Sequence, residues 1–219
     1  MSVTVKSLRH GIRSANRPIR SEWGQPCFMI LTGVDSMLEQ RTALQELDWP
    51  TVANAGMTLY EMPVAGAWLV CDWEGASAGT VIDAAREALG TANGLVISIG
   101  PSRSLIVTAD AETAGALEGI VTGPHAIECR CQRAWLRLSG ADSRAFLDRR
   151  LGVDISHGHF PAGCVAATRL GQVDVLVHAR EDGTFDLLPA RSFAAALAET
   201  MLRSARAEGA SLAICPAQG

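Results

Sequence analysis

Aromatic side chains are scarce in this chain, 5% of 219 residues with a single tyrosine. That scarcity removes the stacking platforms on which proteins hold nucleic-acid bases, so no nucleic-acid partner is expected. No apolar run approaches the ~18 residues that cross a bilayer, and no apolar secretory segment follows Met1. No membrane partner is therefore expected. Six cysteines (Cys27, Cys71, Cys129, Cys131, Cys164 and Cys215) are scattered without framework spacing, which predicts reduced, mostly buried thiols in a cytoplasm. Gly-x-Ser-x-Gly, Gly-x-Gly-x-x-Gly after a strand, the phosphate-cradling Gly-x-x-x-x-Gly-Lys-Ser/Thr and Cys-x-x-Cys are all missing. Serine-nucleophile, dinucleotide, nucleotide and thioredoxin-type chemistry thus have no sequence support. Acidic residues are absent from the first twenty positions, which hold Lys6, Arg9, Arg13, Arg17 and Arg20.

With five of the 19 cations in that stretch, the remaining 14 face 23 acidic residues. A basic arm on an acidic body suits an acidic surface, its own or a partner's. Its Arg- and Ser-containing start also has the look of a transit peptide, and a loose solvated terminus is the plain alternative. Hydrophobic residues make up 48% and charged residues 19%, enough for a sizeable core and too apolar for a disordered chain.

Beyond the arm, short apolar runs alternate with helical periods. Thr58 to Pro63 and Ala67 to Cys71 read as strands joined through Val64-Ala65-Gly66. A helix is expected from Ser77, with Val81, Ile82, Ala85, Ala88 and Leu89 on one face and Gly90 as its C-cap. Leu95 to Ile99 and Leu105 to Thr108 form the next strand pair through Gly100-Pro101-Ser102, and Asp110 caps a short helix to Leu117. Ile127 to Leu138 is strand-like with an interruption at Cys131-Gln132, and Ser139 to Asp142 has capping-box spacing with Ala145 and Phe146 turned to the sheet.

Val165 to Leu170, Val173 to His178 and Thr184 to Leu188 are three further strands, joined at Gly171-Gln172 and at the hairpin pair Asp182-Gly183. A closing helix from Ser192 puts Phe193, Leu197 and Met201 on one stripe, beside Ala194, Ala198 and Leu202. Two rounds of strand pairs and helices give an α+β class, a layered antiparallel sheet with covering helices. The expected organisation is a basic arm over residues 1–24 and one domain over 25–219, with a soft subdivision near 120.

Few residues invite a chemical reading. Cys129 and Cys131 would point the same way on a strand, with no further zinc ligands nearby, so packing is the simpler account. His157-Gly158-His159 lies in a loop where Asp154 is the only close additional ligand. A metal or redox module built on Cys129, Cys131, His157 and His159 ranks last. A folate site would need a carboxylate for the pterin's donor edge; Glu74, Asp174 and Asp186 are available, with solvated or capping roles favoured for most. Arg191 precedes the final helix, the less favourable end for a cation, and so invites a specific partner such as a carboxylate on another chain or Asp186. Of Trp23, Trp49, Trp68 and Trp73, Trp23 beside the arm is the interface candidate, and Trp68 suits core burial. The expected sites are therefore interface contacts at Arg13, Arg17, Arg20, Trp23 and Arg191, with no catalytic, cofactor or metal residue on the chain.

From Leu95 to Leu202 an ordered set of motifs carries a family likeness. It comprises Gly100-Pro101-Ser102 with Ser104-Leu105-Ile106-Val107, Trp135-Leu136-Arg137-Leu138-Ser139-Gly140, Phe160-Pro161-Ala162-Gly163-Cys164, Thr168-Arg169-Leu170, Phe185-Asp186-Leu187 and Arg191-Ser192-Phe193. The set resembles the gamma subunit of the heterotetrameric sarcosine oxidase family, including related N-methylglutamate dehydrogenase-type complexes. The resemblance implies a fold like that of the folate-binding aminomethyltransferases and a non-catalytic subunit with alpha, beta and delta partners. It places flavin (FAD and FMN), NAD, tetrahydrofolate and zinc on those partners and none on this chain. A stand-alone folate-binding one-carbon-transfer protein of the aminomethyltransferase type is the alternative, although such enzymes are usually much longer.

Overall fold

A computed structural model describes residues 29–31, 38–40, 42–45, 48–49, 55–71, 78–90, 94–123 and 125–217. Their elements run β1 (Met29–Leu31), β2 (Leu38–Gln40), β3 (Met57–Met62), β4 (Gly66–Cys71), α1 (Ala78–Leu89), β5 (Gly94–Gly100), β6 (Arg103–Thr108) and α2 (Ala111–Ile120). Then follow β7 (Ala126–Glu128), β8 (Trp135–Ser139), α3 (Ser143–Asp148), β9 (Val165–Leu170), β10 (Val173–Ala179), β11 (Phe185–Pro189), α4 (Ala194–Ala207) and β12 (Leu212–Cys215). The class is α+β, as the sequence predicts.

Apart from the small β1–β2 pair, the strands form two sheets. One has six strands in the order β12-β3-β8-β11-β10-β9, and the other has four in the order β5-β6-β4-β7. All neighbours are antiparallel except β12, which joins β3 in parallel. The two sheets lie face to face, and a pair of helices covers each outer side.

Three apolar layers hold this stack together. Leu59, Leu136, Leu138, Phe185 and Leu187 of the six-stranded sheet pack on Phe146 and Leu147 of α3 and on Leu197 and Met201 of α4. Leu95, Ile97, Leu105 and Val107 face Trp135, Leu176 and Leu188 between the sheets. Trp68, Val70 and Ile106 meet Ala85, Leu89, Ala114 and Leu117 of α1 and α2. Each fully buried Leu or Phe contributes about 1.5–3 kcal/mol relative to exposure.

Local sequence explains most boundaries. Asp110 Oδ2 accepts the Thr113 hydroxyl at 2.6 Å and the Thr113 amide at 2.7 Å and so caps α2, and these bonds, the hydroxyl first, hold its carboxyl below the ordinary range. Gly183, at φ +80°, turns β10 into β11 as the Asp-Gly pair predicts. Trp68 is buried in β4, and Trp49 donates its indole N–H to the Leu44 carbonyl at 2.8 Å.

Some expectations fail. The capping box does not form: Ser139 is still in β8, where its hydroxyl donates to the Thr58 carbonyl at 3.4 Å, and Asp142 makes no side-chain cap. Phe146 is buried, but Ala145 is exposed. Phe193 lies in a 3-10 turn (Arg191–Phe193) ahead of α4 and is 55% exposed, so the stripe runs through Ala194, Leu197, Ala198, Met201 and Ala205 instead. The run from Ile127 to Leu138, by contrast, is interrupted around Cys131-Gln132 as expected. It leaves the four-stranded sheet after β7, crosses through 129–134, and enters the six-stranded sheet as β8. Finally, Cys131 is disulfide-bonded rather than reduced, whereas Cys71, Cys129, Cys164 and Cys215 are free.

The close approach of two backbones at Gly140 yields a stability test. At φ +124°, a Cβ there would sit 2.2 Å from the Gly56 carbonyl oxygen. Gly183 also has positive φ but open space around it. Gly140→Ala should cost at least about 2–3 kcal/mol in urea unfolding, and Gly183→Ala only about 1 kcal/mol. Equal losses would mean that conformation alone, and not contact with Gly56, decides the cost.

Candidate functional site

The second face of the six-stranded sheet carries a row of polar residues that no alternating pattern predicts for a buried strand. Tyr60 of β3 stands opposite Arg137 of β8, Arg137 opposite Asp186 of β11, and Asp186 opposite His178 of β10. Because side chains two apart share a face, Trp135 and Arg180 flank this row on the same side. Asp186 is the middle of the group and is fully buried.

Both of its carboxylate oxygens are occupied. Oδ1 accepts the Trp135 indole N–H and the Arg137 Nε–H, each at 2.8 Å. Oδ2 accepts from Arg180 Nη1 at 3.3 Å and faces His178 Nδ1 at 3.5 Å. The Arg137 guanidinium also lies 5.3 Å from the Trp135 ring centroid. Burial by itself raises the Asp186 carboxyl, but hydrogen bonds from His178, Arg137 and Trp135 and the Arg137 charge outweigh it and hold the group below its ordinary value. Arg137 Nη2 and Arg180 Nε are buried without hydrogen-bond acceptors among the described residues, although Arg180 Nε lies 3.6 Å from Asp182 Oδ2. A carboxylate so depressed and so fully occupied is poorly suited to take a proton from a substrate. Its role is to pin β8, β10 and β11 together, and the solvated or capping role expected for it is corrected.

Trp135 links this cluster to a cavity of about 210 Å³ between the sheets. Its apolar walls come from Ala67 and Leu69 of β4, Leu105 and Val107 of β6, and Leu188 of β11. Its polar groups are Arg103, Cys129, Gln132 and Arg133. The last three belong to the crossing segment, which is fixed by backbone bonds from the Cys129 amide to the Ala67 carbonyl at 2.8 Å and from the Ala134 amide to the Pro189 carbonyl at 3.2 Å. Arg133 Nη1 donates to the Leu188 carbonyl at 2.7 Å. Burial draws the Arg133 guanidinium below its ordinary range, and burial pushes the Cys129 thiol up to about 11. Cys129 is therefore a neutral, unreactive wall.

At the remaining expected positions, Arg13, Arg17, Arg20 and Trp23 lie outside the described residues, as do Cys27, Trp73 and Glu74. Arg191 is half-buried in the 3-10 turn, with its amide donating to the Gln132 carbonyl at 2.9 Å. Asp174 pairs with Arg169 at 2.7 Å in solvent. His159 Nδ1 lies 3.0 Å from Asp154 Oδ2, both exposed. No group of three metal-ligating side chains occurs among the described residues.

The backbone arrangement has known counterparts. It is similar to a chain of the heterotetrameric sarcosine oxidase from Corynebacterium sp. U-96, solved in complex with pyrrole 2-carboxylate. The likeness has a TM-score of 0.56 at 19% identity and covers 73% of this chain and 89% of that one. A second solved structure, the glycine cleavage system aminomethyltransferase T from Bartonella henselae, aligns at a TM-score of 0.45 and 18% identity. It is covered over 48% of its length, against 74% of this chain. No protein-family model and no curated protein matches the sequence. The sarcosine oxidase likeness supports the fold. Among the described residues no helix is long and apolar enough to cross a membrane.

The Asp186 cluster makes a test with a defined sign. Asp186→Asn leaves the half-buried Arg137 guanidinium without a carboxylate and Arg180 with only Asp182, and should cost about 3–5 kcal/mol. Because the folded carboxyl is depressed, its contribution is complete above the unfolded value near ~4 and fades as pH falls through the lower folded value. Urea midpoints of wild type and Asp186→Asn should thus differ most at neutral pH and draw together as the solution is acidified below the unfolded value. A constant gap would show that the carboxylate charge is not what stabilises the row.

Proposed function

We propose that the chain is a non-catalytic, gamma-type subunit of a multisubunit flavoenzyme that oxidises N-methyl amino acids, sarcosine oxidase-like or N-methylglutamate dehydrogenase-like. The observation that carries this reading is the fold likeness, which spans nearly the whole of one sarcosine oxidase chain. It is strengthened by the ordered motifs from Gly100 to Phe193. In this role the chain braces alpha, beta and delta subunits that hold flavin, NAD, tetrahydrofolate and zinc, and itself holds none of these. Confinement within such an assembly keeps a reactive imine or one-carbon intermediate from wasteful hydrolysis.

The structure offers surfaces suited to that role. Phe193 is 55% exposed two residues from Arg191, and an aromatic beside an arginine is the composition of an interface anchor. Ile127 and Tyr60 are likewise exposed, at 47% and 43%. Arg13, Arg17, Arg20 and Trp23 remain proposed contacts of the basic arm with an acidic partner surface.

A native pull-down of the tagged chain tests the reading. Larger chains and a yellow flavin chromophore should elute with it, and Phe193→Ser should lower their recovery several-fold while the subunit itself stays folded. A lone, colourless chain from an organism that oxidises N-methyl amino acids would overturn the subunit role, and titration with tetrahydrofolate would then follow.

A further inference from the structure

The inter-sheet cavity combines three properties that suit it to a ligand. First, its walls are apolar and include the Trp135 ring system. Second, it holds cations without anions: Arg103 and Arg133 both line it, no Asp or Glu does, and neither arginine has a carboxylate within ion-pair distance among the described residues. Third, it is placed at the crossing between two sheets, where the chain from Cys129 to Ala134 holds the sheets at fixed separation.

Elsewhere in this molecule arginines are generally answered. Arg137 and Arg180 meet Asp186, Arg149 and Arg150 meet Glu208, and Arg169 meets Asp174. Arg133 instead spends one N–H on the Leu188 carbonyl; the one carboxylate whose charge reaches it, Asp174, is already paired with Arg169, which leaves the half-buried guanidinium only partly compensated. Desolvating a guanidinium with no counter-charge is costly, and an incoming anion would recover that cost.

We propose that this cavity binds a small organic carboxylate with a flat apolar body, its charge meeting Arg133 and Arg103 and its body lying beside Trp135 against the aliphatic side chains of β4 and β6. Arg103 and Gln132 are exposed and mark the solvent side, so the carboxylate enters last and the body goes in first. At about 210 Å³ the space falls short of the roughly 300–1,000 Å³ of drug-sized sites. It admits a single-ring acid and excludes a folate or a flavin. The neutral Cys129 thiol adds no charge that would repel an anion. Because the cavity lies within a single chain, its occupancy is separable from the subunit role.

Isothermal titration of the full-length chain with benzoate, with benzyl alcohol as the uncharged comparison, tests this site. Saturable one-site binding of benzoate is expected, with benzyl alcohol at least tenfold weaker. Arg133→Met should weaken benzoate tenfold or more, and Arg103→Gln a few-fold. Arg86→Gln removes the same charge from α1, outside the cavity, and should change nothing. Circular dichroism checks the fold of Arg133→Met, whose parent side chain also holds the Leu188 carbonyl. Should that variant unfold, the exposed Arg103→Gln still reads the charge. Absence of saturable benzoate binding, equal affinity for benzyl alcohol, or full affinity in every folded arginine variant would each overturn the proposal. Failure of the pull-down described above would leave these outcomes untouched, and the reverse also holds.

Discussion

Burial of the six-stranded sheet on both faces is the constraint on which the rest of this structure depends. A strand with one wet face alternates, but all five residues of β11 are buried, because α3 and α4 cover one side and the four-stranded sheet the other. Any polar residue on such a strand must find its partners inside the protein. Asp186 does so through Trp135, Arg137 and His178 of the two neighbouring strands and through Arg180, which directly follows β10. The register is thereby fixed twice, once by Phe185 and Leu187 facing the helices and once by the carboxylate facing its donors. A slip of one residue would put the carboxylate into the helix-facing core and Phe185 among the arginines.

The same constraint separates what was legible in the sequence from what was not. The two strands between Thr58 and Cys71, the hairpins from Val165 to Leu188, the α1 face apart from the exposed Ala88, and the Asp110 cap all follow from local pattern and are present, although β3 and β4 enter different sheets and do not pair. The errors arose where distant residues decide. Ser139 and Asp142 have capping-box spacing, but pairing with β3 carries β8 through Ser139 and leaves α3 without that cap. Phe193 fits the α4 period by number and fails because the 3-10 turn at Arg191–Phe193 delays the helix to Ala194, two residues later than expected. β12 escaped notice because its partner β3 lies more than 150 residues earlier and the pairing is parallel.

Of the site, the sequence showed the residue types without their company. Asp186 was available as a carboxylate, but nothing local says that Arg137, 49 positions away, closes on it. One signal was present in retrospect. The four strands from β8 to β11 carry Arg137, Arg169, Asp174, His178 and Asp186 within otherwise apolar runs, and opposed charges on strands buried on both faces tend to be paired with each other. Arg169 and Asp174, at the open edge strand β9 and its neighbour, pair in solvent. Arg137 and Asp186, in the middle of the sheet, pair in the interior.

That contrast sharpens the meaning of Arg133. It sits beside the same sheet without a carboxylate at ion-pair distance among the described residues, and it belongs to the segment that joins the two sheets. A smaller apolar residue there could pack against Leu188 without desolvating a charge, and the crossing would close over the cavity. The arginine instead keeps one hydrogen bond to the Leu188 carbonyl and lines a space bounded by Leu69, Leu105 and Trp135. Stability alone does not account for that arrangement, because the buried charge costs more than one carbonyl bond returns. It becomes favourable when an anion of the right shape enters. The charge deficit of this cavity and the charge balance at Asp186, joined through the single Trp135 side chain, are thus two outcomes of one rule: a cation between these sheets must be met, by the chain or by a ligand.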